Sequence, residues 1–237
     1  MLIGAMTGWL DHAVTSVENL LVEAEADPHA PAWNVLYERA CQEGFHESEE
    51  ALLISRLANV AAEFTPADRD DVLILAGQLA VDMDERSLRQ HAGALEQLRQ
   101  LTTDWLPTPT DGRSFIYRLR AVMALEGDLL WGEELERLIY DEVEVECPQC
   151  EISLFIAFGE RGHFATHEDY ATKSDVVQTP LLPATAVDLD GVGLRLYSMS
   201  NDVGQHPVAE ALTYLFGHAT CTQCGSTFRV SDQVERY

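Results

Sequence analysis

Apolar positions recur at helical spacing through the first 140 residues, and caps and breakers divide the recurrence into segments. Over 9–26, Leu10, Val14, Val17 and Leu21 mark one helical face, and Asp27-Pro28 ends it. A second, shorter helix starts near Pro31, carries Trp33, Leu36 and Tyr37, and stops at Gly44. A third spans 48–64, with Leu53, Leu57, Val60, Ala61 and Phe64 on one side. Thr65-Pro66-Ala67-Asp68 then offers a cap, a first-turn proline and an acid three residues on, which opens a fourth. That fourth helix repeats Val72, Leu75, Ala76 and Leu79, but Leu73, Ile74 and Val81 are apolar as well, so neighbours are expected on most sides. Asp84 caps a fifth helix through Leu88, Ala92, Leu95, Leu98 and Thr102. The pattern breaks over 105–112, a proline- and threonine-rich connection, before helices at 113–125 and 128–140 that part at Gly127. Successive helices joined by short turns suit stacked antiparallel pairs.

Beyond residue 141 the pattern changes. Glu142-Val143-Glu144-Val145-Glu146 is a β-rich lead-in, 152–158 and 163–166 form a hairpin about Glu160-Arg161-Gly162, and 179–183 is a proline-rich bend. Two more helices follow: 187–200, with Leu189, Val192, Leu196 and Met199 on one side, and 208–216, from Pro207 to a stop at Gly217. The expected class is α+β, with a helical domain at 1–141 and a β module at 142–237 that carries a helical hairpin near 185–217.

Four of the five cysteines frame that module as two hooks, Cys147-Pro148-Gln149-Cys150 and Cys221-Thr222-Gln223-Cys224. Two thiolates on one tight turn can bind one tetrahedral metal ion, and each hook leads into a strand rather than into the helix that a redox dithiol favours. Gly225 after the second hook permits the positive φ such a turn needs, whereas Glu151 stands in its place after the first. The expected ligands are Cys147, Cys150, Cys221 and Cys224 around a structural zinc ion. For the four to meet, the intervening residues 151–220 must return the chain to its starting point, and loop closure over such a length is thermodynamically tolerable. A site of four thiolates has no open position for catalysis by the metal.

Two resemblances follow. The hooks resemble the zinc-ribbon class through these four cysteines, although the separation between them is long for it. The runs 50–58 and 65–77 resemble HEAT-like helical-repeat proteins of high-GC bacteria, which implies an interaction scaffold and transfers no catalytic residue.

Charge alters the functional expectation that a ribbon alone would raise. The 237 residues hold 40 acidic side chains against 15 basic ones, a net of −25, with Lys173 the sole lysine. Four zinc-bound thiolates would take the net to about −27. Such a field repels nucleic-acid phosphates and anionic membranes and steers basic proteins inward. The expected partner is therefore a basic protein, and free nucleic acid and membranes are disfavoured. Residues 1–6 show no basic start to a signal peptide, and the longest apolar run, 72–81, is too short to span a bilayer. Unoxidised thiols fit a cytoplasmic protein, in which Cys41 is expected to be a buried small hydrophobe.

The remaining candidates are weaker. His163 and His167, with Glu168 and Asp169, could bind a metal or serve as acid and base, yet residues four apart on a strand lie about 13 Å apart. A surface segment is expected there. His46-Glu47-Ser48-Glu49-Glu50 lacks the second histidine of a zinc helix and fits an acidic helix start. Gly191-Val192-Gly193 falls within a helical pattern, and no phosphate loop or nucleophile elbow is present. The acidic stretches 133–136 and 141–146 are a solvated face or a docking surface. The leading expectation is an acidic zinc-binding interaction module, an adaptor or an immunity or antitoxin-like neutraliser. A nucleic-acid ribbon would need a basic stripe, which Arg113, Arg118 and Arg120 could begin, and an enzyme would need a pocket around His163 or His167.

Overall fold

A computed structural model describes residues 16–159, 161–173 and 175–235. The expected helical positions 9–15 lie outside them. Helix α1 spans Val17–Ala26, where Ser16 caps the start by accepting from the Asn19 N–H at 3.3 Å. Helices α2 (Ala32–Gln42) and α3 (Glu47–Glu63) follow, with Gly44 turning between them at φ 70°. Glu47, Glu49 and Glu50 fill the first turn of α3, and Glu49 accepts from the His46 N–H, so this is the acidic helix start expected.

Several boundaries differ from the sequence expectation, and the helix expected at 128–140 gives way to a 3-10 turn after Glu134. Pro66–Asp68 is a separate 3-10 turn in which the Thr65 hydroxyl donates to the Asp68 carboxylate, and α4 (Asp70–Asp82) begins only after it. The expected fifth helix is two, α5 (Glu85–Gln90) and α6 (Ala92–Trp105), broken at His91, whose N–H closes the first on Ser87. The later helix expected from 187 is α9 (Gly191–Asp202), because Thr185 and Asp188 bond to each other in a turn that leaves Val187 in solvent. Between lie α7 (Gly112–Leu125), α8 (Leu129–Glu134) and a 3-10 turn at Leu135–Ile139, with α10 (His206–Leu215) last.

Strands β1 (Glu142–Glu146), β2 (Ser153–Gly159), β3 (Gly162–Thr166) and β4 (Thr179–Pro180) form an antiparallel sheet in that order. Strands β5 (His218–Thr220) and β6 (Thr227–Arg229) form a second, two-stranded sheet. The bridge between Leu182 and His218 joins the two sheets across the sequence that separates the hooks. The chain is thus α+β, helical first and with small antiparallel sheets towards its end.

Two apolar cores form, and α7 serves both. Ala121, Val122, Ala124 and Leu125 pack with Leu21, Trp33, Leu53 and Leu75, whereas Phe115, Ile116, Leu119 and Met123 pack with Leu154, Ile156, Leu196 and Leu212. Helix α4 carries eight buried residues, as its all-round apolar sequence requires. It approaches α7 at Gly77, where a Cβ would lie 2.6 Å from Ala121 Cα, so only glycine permits the crossing.

Arg118 and Arg120 overturn the expected basic stripe. Arg118 holds the Asp70 carboxylate through Nε and Nη2 at 2.8 and 3.0 Å and donates through Nη1 to Thr108. Arg120 pairs with Glu136 at 2.7 Å and donates to the Gly132 carbonyl. Both arginines are buried, and Arg113 alone of the three is exposed. Their charges are used inside the fold because a buried guanidinium requires acceptors on every side. Cys41 is also corrected: it lies exposed on α2 rather than buried. Among the described residues, no helix is long and apolar enough to cross a membrane.

Candidate metal centre

The two hooks adopt the same backbone form. Each follows a strand (β1 or β5) and precedes another (β2 or β6). In the first, the Glu151 N–H donates to the Cys147 carbonyl at 2.9 Å and the Cys147 N–H donates to the Ile152 carbonyl at 2.9 Å. In the second, Gly225 donates to Cys221 at 2.9 Å and Cys221 donates to Ser226 at 2.8 Å. The residue that closes each hook sits in the left-handed region, Glu151 at φ 58° and Gly225 at φ 75°. The first hook therefore makes the glycine-type turn without glycine.

The hooks face one another. Cys147 Sγ lies 3.7 Å from Cys224 Sγ, Cys150 Sγ lies 3.8 Å from Cys221 Sγ, and all four sulfurs fall within 4.8 Å. A zinc ion bound at about 2.3 Å to four sulfurs requires tetrahedron edges of about 3.8 Å. None of the cysteines is in a disulfide, whose sulfurs would be about 2 Å apart. The donor set therefore fits a tetrahedral metal ion. The first cysteine of each hook is buried and the second is exposed, so the cluster has an inner face against the second core and an outer face towards water.

The surroundings bias individual thiols. Burial opposes ionisation of Cys147, but hydrogen bonds from Ser226 and from the backbone of Gln149 and Cys150 bring its thiol down to about 6. The Ser226 side chain and backbone also lower Cys224. Cys150 goes the other way: the Ile152 N–H favours its thiolate, but desolvation and the three adjacent sulfurs push the thiol up to about 12. Ser226 Oγ stands 3.4 Å from Cys147 Sγ and 3.3 Å from Cys224 Sγ. Ser226 thus eases ionisation of two of the four sulfurs, the form in which cysteine binds a metal ion.

The two histidines of the 163–169 run are not brought to one site. His163, on β3, stacks on Tyr214 with ring centroids 3.9 Å apart and an interplanar angle of 17°. His167 Nδ1 lies 2.6 Å from Thr222 Oγ1, inside the second hook. That contact links residues 55 apart in sequence, and no local pattern announces it. Thr179 adds a second tie, its hydroxyl donating to the Thr220 carbonyl just before Cys221.

The acidic stretches are partly engaged within the fold. Glu134 is buried and takes Arg137 at 3.3 Å, while Glu136 takes Arg120. Glu142 accepts from the Tyr170 hydroxyl and Glu144 from the Ser153 hydroxyl. Asp141, Glu142 and Glu144 line a cavity of about 510 Å³ together with Arg137, Arg161 and Tyr170. No family model matches the chain, and neither a curated protein nor a solved structure matches it.

Proposed function

We propose that the chain is an acidic protein-binding module whose C-terminal part is tied together by a structural zinc ion on Cys147, Cys150, Cys221 and Cys224. The observation that carries this reading is the approach of four free thiols, from two hooks of the same form, at separations close to a tetrahedral edge. Four-sulfur tetrahedral sets suit zinc or iron–sulfur chemistry. Zinc is favoured because each Cys-x-x-Cys turn presents a compact two-thiolate hook between strands, the arrangement of a zinc ribbon. Four thiolates complete its shell, so the ion's contribution is to folding and not to bond breaking.

The partner follows from charge. At −25 before any metal binds, the surface attracts a basic protein and repels phosphate backbones. Helices packed in series, in the manner of a HEAT-like scaffold, supply the surface, and the chain acts as an adaptor or as an immunity or antitoxin-like neutraliser. A nucleic-acid ribbon is disfavoured because Arg118 and Arg120 are buried and paired.

Metal analysis of protein purified without added zinc tests the first part. One zinc per chain is expected, with loss of the metal in Cys147→Ser. Iron or no metal overturns it. Capture experiments at low and high ionic strength test the second: basic proteins should be retained at low salt and released at high salt. Retention of acidic proteins or of nucleic acid overturns the reading.

A further inference from the structure

Far from the cysteines in sequence, a cavity of about 310 Å³ opens between α2, α4 and the start of α7. Three aromatic rings, Trp33, Tyr37 and Tyr117, form its walls together with Ile74. The charged groups that line it are Asp70 and Asp71; neither lysine nor arginine contributes. Asp70 is already neutralised by the two-point grip of Arg118. Asp71 makes no salt bridge among the described residues; burial and the adjacent Asp70 raise its carboxyl, and His29 is the neighbour that favours its charge, so a cation entering beside it would relieve the repulsion.

The two tyrosine rings are partly exposed to a cation, whereas Trp33 is buried behind them. Tyr37 and Tyr117 meet edge to face, with centroids 6.4 Å apart and an interplanar angle of 89°, which directs their faces differently. The buried Arg120 guanidinium already lies 5.6 Å from the Tyr117 centroid, an internal example of this ring accepting a cation. Trp33 donates its indole N–H to the Asp27 carbonyl, so it meets the cavity as an apolar wall. Ser114 donates its hydroxyl proton to Asp111, which leaves its lone pairs as acceptors, and Asn34 also lines the cavity.

We propose that this cavity receives an arginine side chain from the basic partner, with the guanidinium against the tyrosine rings and paired to Asp71. Arginine fits better than lysine because its planar fork can meet a carboxylate at two points, stack on a ring and still donate to Ser114. The occupant is assigned to another molecule because the net charge of −25 draws in a basic partner. The assignment rests on the reading of the chain as a binder of basic proteins and locates where that binding is specific.

The test titrates N-acetyl-arginine amide into the full-length metal-loaded protein, following the side-chain NMR signals of Trp33, Tyr37 and Tyr117. The neutral citrulline analogue serves as control. Saturable shifts confined to these residues are expected, with citrulline weaker by about tenfold or more, since removing the charge abolishes both the ion pair and the ring attraction. Asp71→Asn should weaken arginine binding by about fivefold with an unchanged melting temperature. Tyr37→Leu should weaken it as well. Equal binding of citrulline, an unaffected Asp71→Asn, or no shift with arginine amide overturns the assignment. If these fail while wild-type protein still captures basic proteins in a salt-sensitive way, the cavity alone is wrongly assigned. Failure of that capture overturns the broader reading instead.

Discussion

Replacing Cys221 by serine should release the metal and remove the tie between the two hooks. Cys221 is one of the two buried cysteines, 3.8 Å from Cys150, so the variant removes an inner thiolate and keeps the size of the side chain. The loop that the metal closes between Cys150 and Cys221 is 151–220, or 70 residues by position. Closing a loop of that length removes about 4 kcal/mol of chain entropy from the unfolded state. Metal ligation adds to this, since structural zinc contributes about 10 to 16 kcal/mol to small peptides that have little else to hold them. Here the Leu182–His218 bridge and the β5–β6 pairing add backbone bonds that do not involve the sulfurs, so the loss should start near the loop-closure figure and stop well short of the peptide range. Denaturant unfolding of the metal-loaded wild type, Cys221→Ser and the exposed-site control Cys41→Ser measures it, with a chromogenic chelator reporting zinc release. The control should match wild type. A Cys221→Ser protein that retains one zinc per chain, or unfolds at the wild-type denaturant concentration, refutes the reasoning.

Other perturbations probe the scaffold. Gly77→Ala sets a methyl 2.6 Å from Ala121 Cα and forces α4 from α7, so about 1–3 kcal/mol should be lost and the melting temperature should fall by several degrees. Asp70→Asn strips the buried Arg118 of its carboxylate; breaking a fully buried pair costs about 3–5 kcal/mol, and less is expected here because Asp70 is itself 38% exposed and Thr108 still accepts from Arg118. Arg118→Met in the same protein should recover part of that loss. Asp111 caps α7, and bonds from the Ser114 side chain and backbone hold its carboxyl below the ordinary range. Its folded pKa being the lower one, its stabilisation is present at neutral pH and lost as pH falls through that value. Asp111→Ala should therefore be about 1 kcal/mol less stable at pH 7, a gap that narrows in urea melts below about pH 4.

Both the helical half and the paired hooks were legible because their signals are local. A cap, a proline or a Cys-x-x-Cys spacing reports on a few neighbouring residues, and those residues decide the turn. The break at His91 was hidden because Leu88, Ala92 and Leu95 keep helical spacing across it, although Gly93 weakens the run. Burial of Arg118 was readable in principle: it stands three residues after Phe115 and four before Val122, both buried, and thus on an inward face. Counting it by charge alone placed it on the surface. The contact of His167 with Thr222 and the lowering of Cys147 by Ser226 depend on how 70 residues fold back, and no spacing rule encodes that return.

The double duty of α7 bears on the order in which the molecule can be assembled. As the chain is synthesised, Ala121, Val122 and Leu125 find partners already made, but Phe115, Ile116, Leu119 and Met123 belong to a core most of whose members, from Val143 to Val234, come later. A chain truncated near residue 140 would leave that row covered only in part, by Trp131, Leu135 and Leu138, and open to a chaperone. Synthesis of the remaining segment conceals it again.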